Sequence, residues 1–221
     1  PTASAVSAVR LAGGRASGAA RVVRGQGYRE EEERSRFLYN SEASWLDRMR
    51  AARGGKNKAT GNTSIFHHQG ELYALMEASL PQRIDPATLE TLGETELSAV
   101  ETAFSAHPRR VASLKTTFNF GVRYAKQMLL DIYALPDQGR PAKITTVTAP
   151  WMSMVHDFVA TEDHLVLFVM PSKLVLWRAL LGLGDIQKLF QWKPQLGAQA
   201  MDEPVPRAAV DEKAIDIDVK D

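Results

Sequence analysis

Apolar and polar positions alternate along much of the chain between residues 63 and 170, in short runs broken by turn residues. Period-two patterning sends successive side chains to opposite faces of a strand. Thr63–His67 and Glu71–Ala78 flank Gln69-Gly70 and read as one hairpin. Lys115–Phe120, Gln127–Leu135 and Pro141–Thr148 continue the series, with Pro136-Asp137-Gln138-Gly139 as a turn. Met152–Ala160 and His164–Met170 read as two further strands joined by Thr161-Glu162-Asp163. In the first of these, alternation puts Met152, Met154, His156 and Phe158 on one face, an imidazole among apolar neighbours. Near the start, Ala5–Leu11 and Arg15–Arg24 form a hairpin around Gly13-Gly14. Short strands at this spacing predict an all-β sandwich, barrel or propeller.

Helical pattern is sparse. Tyr28–Phe37 carries Glu30-Glu31-Glu32-Glu33 ahead of Arg34 and Arg36, which fits a short solvated helix whose charges form a surface face. Trp45–Met49 reads as a helical turn, and Gly54–Gly61 as a basic loop without Walker spacing. After Pro171, Leu174, Val175, Leu176, Trp177, Leu180, Leu181 and Leu183 are too many apolar residues for one helical stripe. Two readings stay open for them: a buried segment, or an exposed patch with Lys173, Trp177 and Arg178 at a membrane interface. Residues 1–197 read as the main domain. Ala198–Asp221 reads as a divergent tail in which Ala214–Val219 alternates well enough for one edge strand.

Composition narrows the chemistry. Among 221 residues the net charge is +1 and the basic residues are spread, so no nucleic-acid partner is implied. The absence of cysteine excludes disulfides and thiolate ligands. Any metal must take His, Asp or Glu, which suits iron, manganese or zinc. No apolar run is long enough for a transmembrane helix, and the expected location is cytoplasmic or peripheral to a membrane. His107 lies in Ser105-Ala106-His107-Pro108, where the proline favours an extended histidine. His67-His68 reads as a solvated hairpin end, His164 as structural and Asp157 as a turn cap. Glu77 is a carboxylate in an otherwise apolar strand, and burying it requires a partner. One such use is to accept the ring N–H of a metal-ligating histidine. Without a G-x-S-x-G elbow, a serine hydrolase is unsupported.

Five stretches occur in a telling order: V-R-L-A-G-G-R-A-S from Val9, M-E-A-S-L-P-Q-R-I-D-P-A-T-L-E-T-L-G from Met76, S-A-H-P at His107, T-F-N-F-G-V-R-Y from Thr117, and M-V-H-D-F-V-A-T-E-D-H-L-V-L-F from Met154. Together they resemble the carotenoid cleavage oxygenase family, non-haem iron enzymes that include apocarotenoid and lignostilbene-type oxygenases. The resemblance runs from about Ala5 to Gly197. It implies part of a seven-bladed β-propeller, about three blades, with short helices and an apolar surface segment. It also implies Fe(2+) held by four histidines, with His107 matching the first ligand position and His156 the second. Glu77 matches the first of the glutamates that orient such histidines, and His156 is the partner we assign to it. The implied reaction uses dioxygen to split a conjugated C=C bond of an apolar polyene, leaving a carbonyl on each product. The Leu174–Leu183 run matches the family's membrane-dipping, substrate-collecting patch.

The departures are specific. Family chains are considerably longer, no histidine follows His164, and Ser7 stands where the family usually has a histidine. The chain, which begins Pro1-Thr2-Ala3-Ser4, reads as an internal piece and is not expected to be a competent oxygenase by itself. Two alternatives remain: a catalytically silent propeller piece that binds an apolar ligand, membrane or partner, and an oxygenase acting on stilbene-type phenylpropanoids.

Overall fold

Gly13 and Gly14 both take positive φ, 56° and 72°, as a two-residue type I′ turn requires. They close an antiparallel hairpin between β1 (Ala5–Ala12) and β2 (Arg15–Val22). The structure, a computed structural model, describes residues 4–39, 42–54, 58–181 and 186–206. The chain divides into two compact units, Pro1–Thr95 with Val175–Leu189, and Glu96–Leu174 with Phe190–Asp221.

In the first unit, β3 (Ser64–His68), β4 (Glu71–Leu75), β5 (Gln82–Ile84) and β6 (Thr91–Glu94) pair in chain order as an antiparallel meander. Gln69 and Gly70, at φ 48° and 83°, make the β3–β4 turn. The Asp85 carboxylate accepts the N–H groups of Ala87 and Thr88, both at 2.8 Å, and turns the chain between β5 and β6. Val6, Val23, Ala74, Ile84 and Leu89 form the core of this unit. Strands as short as β5 and β6 carry too few residues for alternation to register, and the pattern along the chain did not predict them.

Several expectations change here. Helix α1 (Gln26–Arg34) is not a purely solvated face, because Glu31 is buried. Its carboxylate accepts from Lys58 Nζ at 2.5 Å, Leu38 N at 2.9 Å and Tyr39 N at 3.3 Å. Lys58, expected in an exposed basic loop, is therefore buried as well, with its ammonium 5.5 Å from the centre of the Tyr28 ring. Helix α2 (Trp45–Arg53) runs beyond the single turn expected and starts at Ser44, whose hydroxyl accepts from Asp47 N. His67 is exposed, but His68 is buried and stacked on Phe66 with ring centroids 5.6 Å apart. Strand β4 ends at Leu75, so Glu77 lies in the turn that follows and not within a strand.

The apolar run contains two short helices, α3 (Leu176–Leu180) and α4 (Ile186–Leu189). Leu176, Trp177 and Leu181 are 50%, 56% and 41% exposed, which favours the surface reading over the buried one. Leu174 and Val175 are half-buried. The Leu180 side chain and Leu183 lie outside what the structure describes. No helix among the described residues is long and apolar enough to cross a membrane.

The second unit holds a four-stranded antiparallel meander of β7 (Arg109–Val111), β8 (Thr116–Tyr124), β9 (Met128–Pro136) and β10 (Ala142–Thr148). Beside it, β11 (Phe158–Ala160) pairs with β12 (His164–Val169), and β13 (Ser172–Leu174) with β14 (Phe190–Trp192). Strand β15 (Gln199–Pro204) pairs with the other side of β12, from His164↔Pro204 to Val169↔Gln199. That strand falls in the stretch read from sequence as tail. The edge strand expected at Ala214–Val219 lies outside the described residues. Phe118, Phe120, Leu130 and Ile132 of the meander share one core with Phe158, Leu165 and Leu167 of the three-stranded sheet. Phe120 and Phe158 meet edge to face at 5.4 Å.

The strand expected over Met152–Ala160 forms only from Phe158 onward. Upstream of it, Ser153 and Val155 are buried while Met154 and His156 are exposed, the reverse of the expected parity. Hydrogen bonds at Ser153 account for this. Its N–H donates to Met128 Sδ at 3.2 Å, its hydroxyl donates to Met170 O at 2.8 Å, and its carbonyl accepts from the Tyr124 hydroxyl at 2.8 Å. A backbone fixed through Ser153 has no ladder to follow, so strand alternation does not apply to it.

Candidate metal centre

His107 lies on the segment that leads into β7. The buried residues Ala103–Ala106 run against β8 ahead of it, with Ser105 N donating to Phe120 O at 2.7 Å. The Asn119 side-chain amide, wholly buried, donates to Ser105 O at 2.7 Å. The Ser105 hydroxyl in turn accepts the backbone N–H of His107 at 3.2 Å. This close approach needs Gly121, since a Cβ there would stand 1.9 Å from Ala103 O. His107 is thus positioned by backbone contacts to β8 and by the proline that follows it.

His156 lies on the irregular segment that leads into β11, fixed by Ser153 on one side and by Phe158 in the core on the other. The two imidazoles come together: their ring centroids are 4.5 Å apart with planes inclined at 45°. A ring nitrogen of each lies within 4.8 Å of one on the other. His107 is half-buried and His156 is exposed.

Beyond the rings, Asp157 and Arg109 form an ion pair at 2.5 Å. Burial acts to raise the Asp157 pKa, but the Arg109 guanidinium and the Phe158 N–H at 2.8 Å outweigh it and hold the carboxyl below its usual range. Asp157 is therefore more than a turn cap. His164 sits apart from the pair, at the start of β12, where its Nδ1 lies 2.9 Å from Asp202 Oδ1. In the first unit, the Glu77 carboxylate accepts the Thr63 hydroxyl at 3.3 Å.

Two imidazoles this close form a donor set for a divalent first-row transition metal, because nitrogen ligands suit iron, cobalt or zinc better than calcium or magnesium. The residues present fit a ferrous ion as a partial nitrogen sphere. Sequence reasoning singled out both histidines and missed Ser105, Asn119 and Gly121. The only signal for those three was their place inside the S-A-H-P and T-F-N-F-G-V-R-Y stretches, where nothing about residue type marks a positioning role.

Comparison with known proteins bears on this site. The family described as retinal pigment epithelial membrane protein matches residues 3–204. Resveratrol cleavage oxygenase 1 of Aspergillus fumigatus is 29% identical over 202 residues, covering 86% of this chain and 38% of the relative. Apocarotenoid-15,15′-oxygenase of Synechocystis sp. is 27% identical over 230 residues, covering 96% of this chain and 46% of the relative. The cobalt-substituted Synechocystis apocarotenoid oxygenase superposes with a TM-score of 0.78 at 26% identity, over 90% of this chain and 44% of that one. The chain thus spans less than half the length of these relatives. The all-β architecture expected from sequence is borne out, and its match is to β-propeller structures.

Proposed function

The chain belongs to the retinal pigment epithelial membrane protein family, the carotenoid cleavage oxygenases, and on that premise we propose that it carries part of the iron site of an enzyme that oxidatively cleaves a conjugated C=C bond. The observation that carries the reading is the 4.5 Å approach of His107 and His156 within the matched region. These two imidazoles would hold Fe(2+), each through a ring nitrogen. Bound ferrous iron supplies the redox chemistry by which ground-state dioxygen reacts with an alkene. The overall change is balanced: one C=C bond and one O₂ give two carbonyl groups.

The protein's own contribution is orientation. Asn119, Ser105 and Pro108 hold the His107 backbone, and Ser153 and Phe158 hold that of His156, so neither segment must be ordered when metal arrives. A role for Glu77 in accepting a histidine ring N–H rests on the resemblance alone. The exposed Leu176, Trp177 and Leu181, with the Arg178 guanidinium 5.4 Å from the Trp177 ring centre, form an apolar surface with a cationic fringe. Such a surface suits peripheral contact with a membrane that holds an apolar polyene, from the cytoplasmic side.

The substrate we favour is a carotenoid or apocarotenoid. A stilbene-type phenylpropanoid is the second reading, favoured by the resveratrol-cleaving relative that matches 86% of the chain. The test is ferrous loading of the purified chain without oxygen, beside the double variant His107→Ala/His156→Ala. Near-stoichiometric iron that the double variant loses supports the site, and iron uptake indifferent to the two histidines overturns it. Air, an apocarotenal and a stilbene are then supplied in parallel. Aldehyde products from one or the other decide the substrate class, and none from either favours a catalytically silent binding piece.

A further inference from the structure

We propose that Arg109 is a positioning residue that clamps the two histidine-bearing segments together and so sets the spacing of the metal-binding pair. This rests on the reading of His107 and His156 as ligands. Arg109 is two residues after His107, at the start of β7, and Asp157 is the residue after His156. Arg109 Nη2 meets Asp157 Oδ2 at 2.5 Å, while its Nε donates to the Phe158 carbonyl at 3.2 Å. One planar guanidinium therefore grips a side chain and a backbone carbonyl of the opposite segment at once. Asp157 completes the arrangement by accepting Phe158 N–H through its other oxygen at 2.8 Å.

The two segments also meet through the core, where Phe120, whose carbonyl anchors Ser105, packs edge to face on Phe158. His107 is positioned by contacts to β8, His156 by Ser153 and by Phe158 in the core. Among the hydrogen bonds and ion pairs described, those of Arg109 run directly from the His107 segment to the His156 segment. A point cation would supply only the charge. The fork of arginine adds a fixed direction, which is what a two-point grip requires. The neighbouring Arg110 provides an internal control. It pairs with Asp137, just past β9, so it carries a similar exposed ion pair on the same strand.

Partners that orient metal ligands typically govern affinity by 10- to 100-fold. The test titrates Co(II), as an air-stable probe, into the 221-residue chain and into Arg109→Met, Arg109→Lys, Asp157→Asn and Arg110→Met, following d–d absorption for affinity and circular dichroism for folding. Expected are a weakening of about 10-fold or more in Arg109→Met and Asp157→Asn, a smaller loss in Arg109→Lys, and no more than about twofold in Arg110→Met. The double variant Arg109→Met/Asp157→Asn should be no weaker than the weaker single variant, since both break one clamp. Arg109→Met binding cobalt as tightly as the unsubstituted chain would overturn the clamp and leave the metal site standing. If the unsubstituted chain takes up no cobalt, the metal reading falls instead. The clamp is then decided by the nuclear Overhauser contact between the His107 and His156 ring protons. Its loss in folded Arg109→Met supports positioning, and its persistence overturns it.

Discussion

Gly121 on β8 and the carbonyl of Ala103 approach so closely that a methyl group at position 121 would lie 1.9 Å from the oxygen. Backbone cannot yield as the tip of a flexible side chain can. Gly121→Ala should therefore push the Ala103–Ala106 segment off β8, at a cost of about 3 kcal/mol in urea unfolding. Because that segment delivers His107, cobalt affinity should fall as well, even at temperatures where the variant remains folded. An alanine variant with unchanged stability would mean that the segment does not lie where the structure puts it.

Glu31 and Lys58 form a buried ion pair whose carboxylate also accepts two backbone N–H groups. Removing one charge strands the other. Lys58→Met should cost about 3–5 kcal/mol in chemical denaturation, whereas Lys58→Met combined with Glu31→Gln should recover most of the loss. The glutamine oxygen can still accept from Leu38 and Tyr39.

Acid stability should depend on Asp131, wholly buried on β9. Burial acts to raise its pKa, but the Arg123 guanidinium at 3.0 and 3.2 Å and the Thr146 hydroxyl at 2.6 Å more than compensate and lower it. A carboxyl depressed on folding stabilises the native state above its ordinary pKa, and that stability is lost as pH falls through the depressed value. The window therefore lies below about pH 4. Asp131→Asn should cost about 2 kcal/mol at neutral pH and flatten the acid limb of stability against pH. An acid limb as steep as that of the unsubstituted chain would count against this assignment.

Metal should stabilise the chain as any ligand specific to the native state does. At about 100 times its dissociation constant, cobalt should add about 2.7 kcal/mol, seen as a raised thermal midpoint that a chelator reverses. The His107→Ala/His156→Ala variant should show no such rise.

The hairpins were legible in sequence wherever a turn carried its own chemistry, as at Gly13-Gly14, Gln69-Gly70 and Pro136–Gly139. The two histidines were legible through their motifs. Their surroundings were not, because alternation assumes a regular ladder. Met152–Asp157 follows side-chain hydrogen bonds at Ser153, which reverses the faces of His156 and its neighbours. Nor could local charge pattern reveal that Glu31, one of four consecutive glutamates, turns inward to meet a lysine 27 residues later. Long-range pairs of this kind leave no periodic trace.

The chain passes between its two units three times, after Thr95, after Leu174 and after Leu189. Neither unit is therefore a contiguous stretch of sequence. A protease that nicked the chain at Thr95 would leave the first unit without α3, which packs against α2, because that helix would remain on the other fragment. Residues 1–95 and 96–221 are thus suited to fragment complementation: the shorter fragment lacks the Val175–Leu189 piece that the longer one carries, and mixing them should restore a first unit that residues 1–95 do not complete alone.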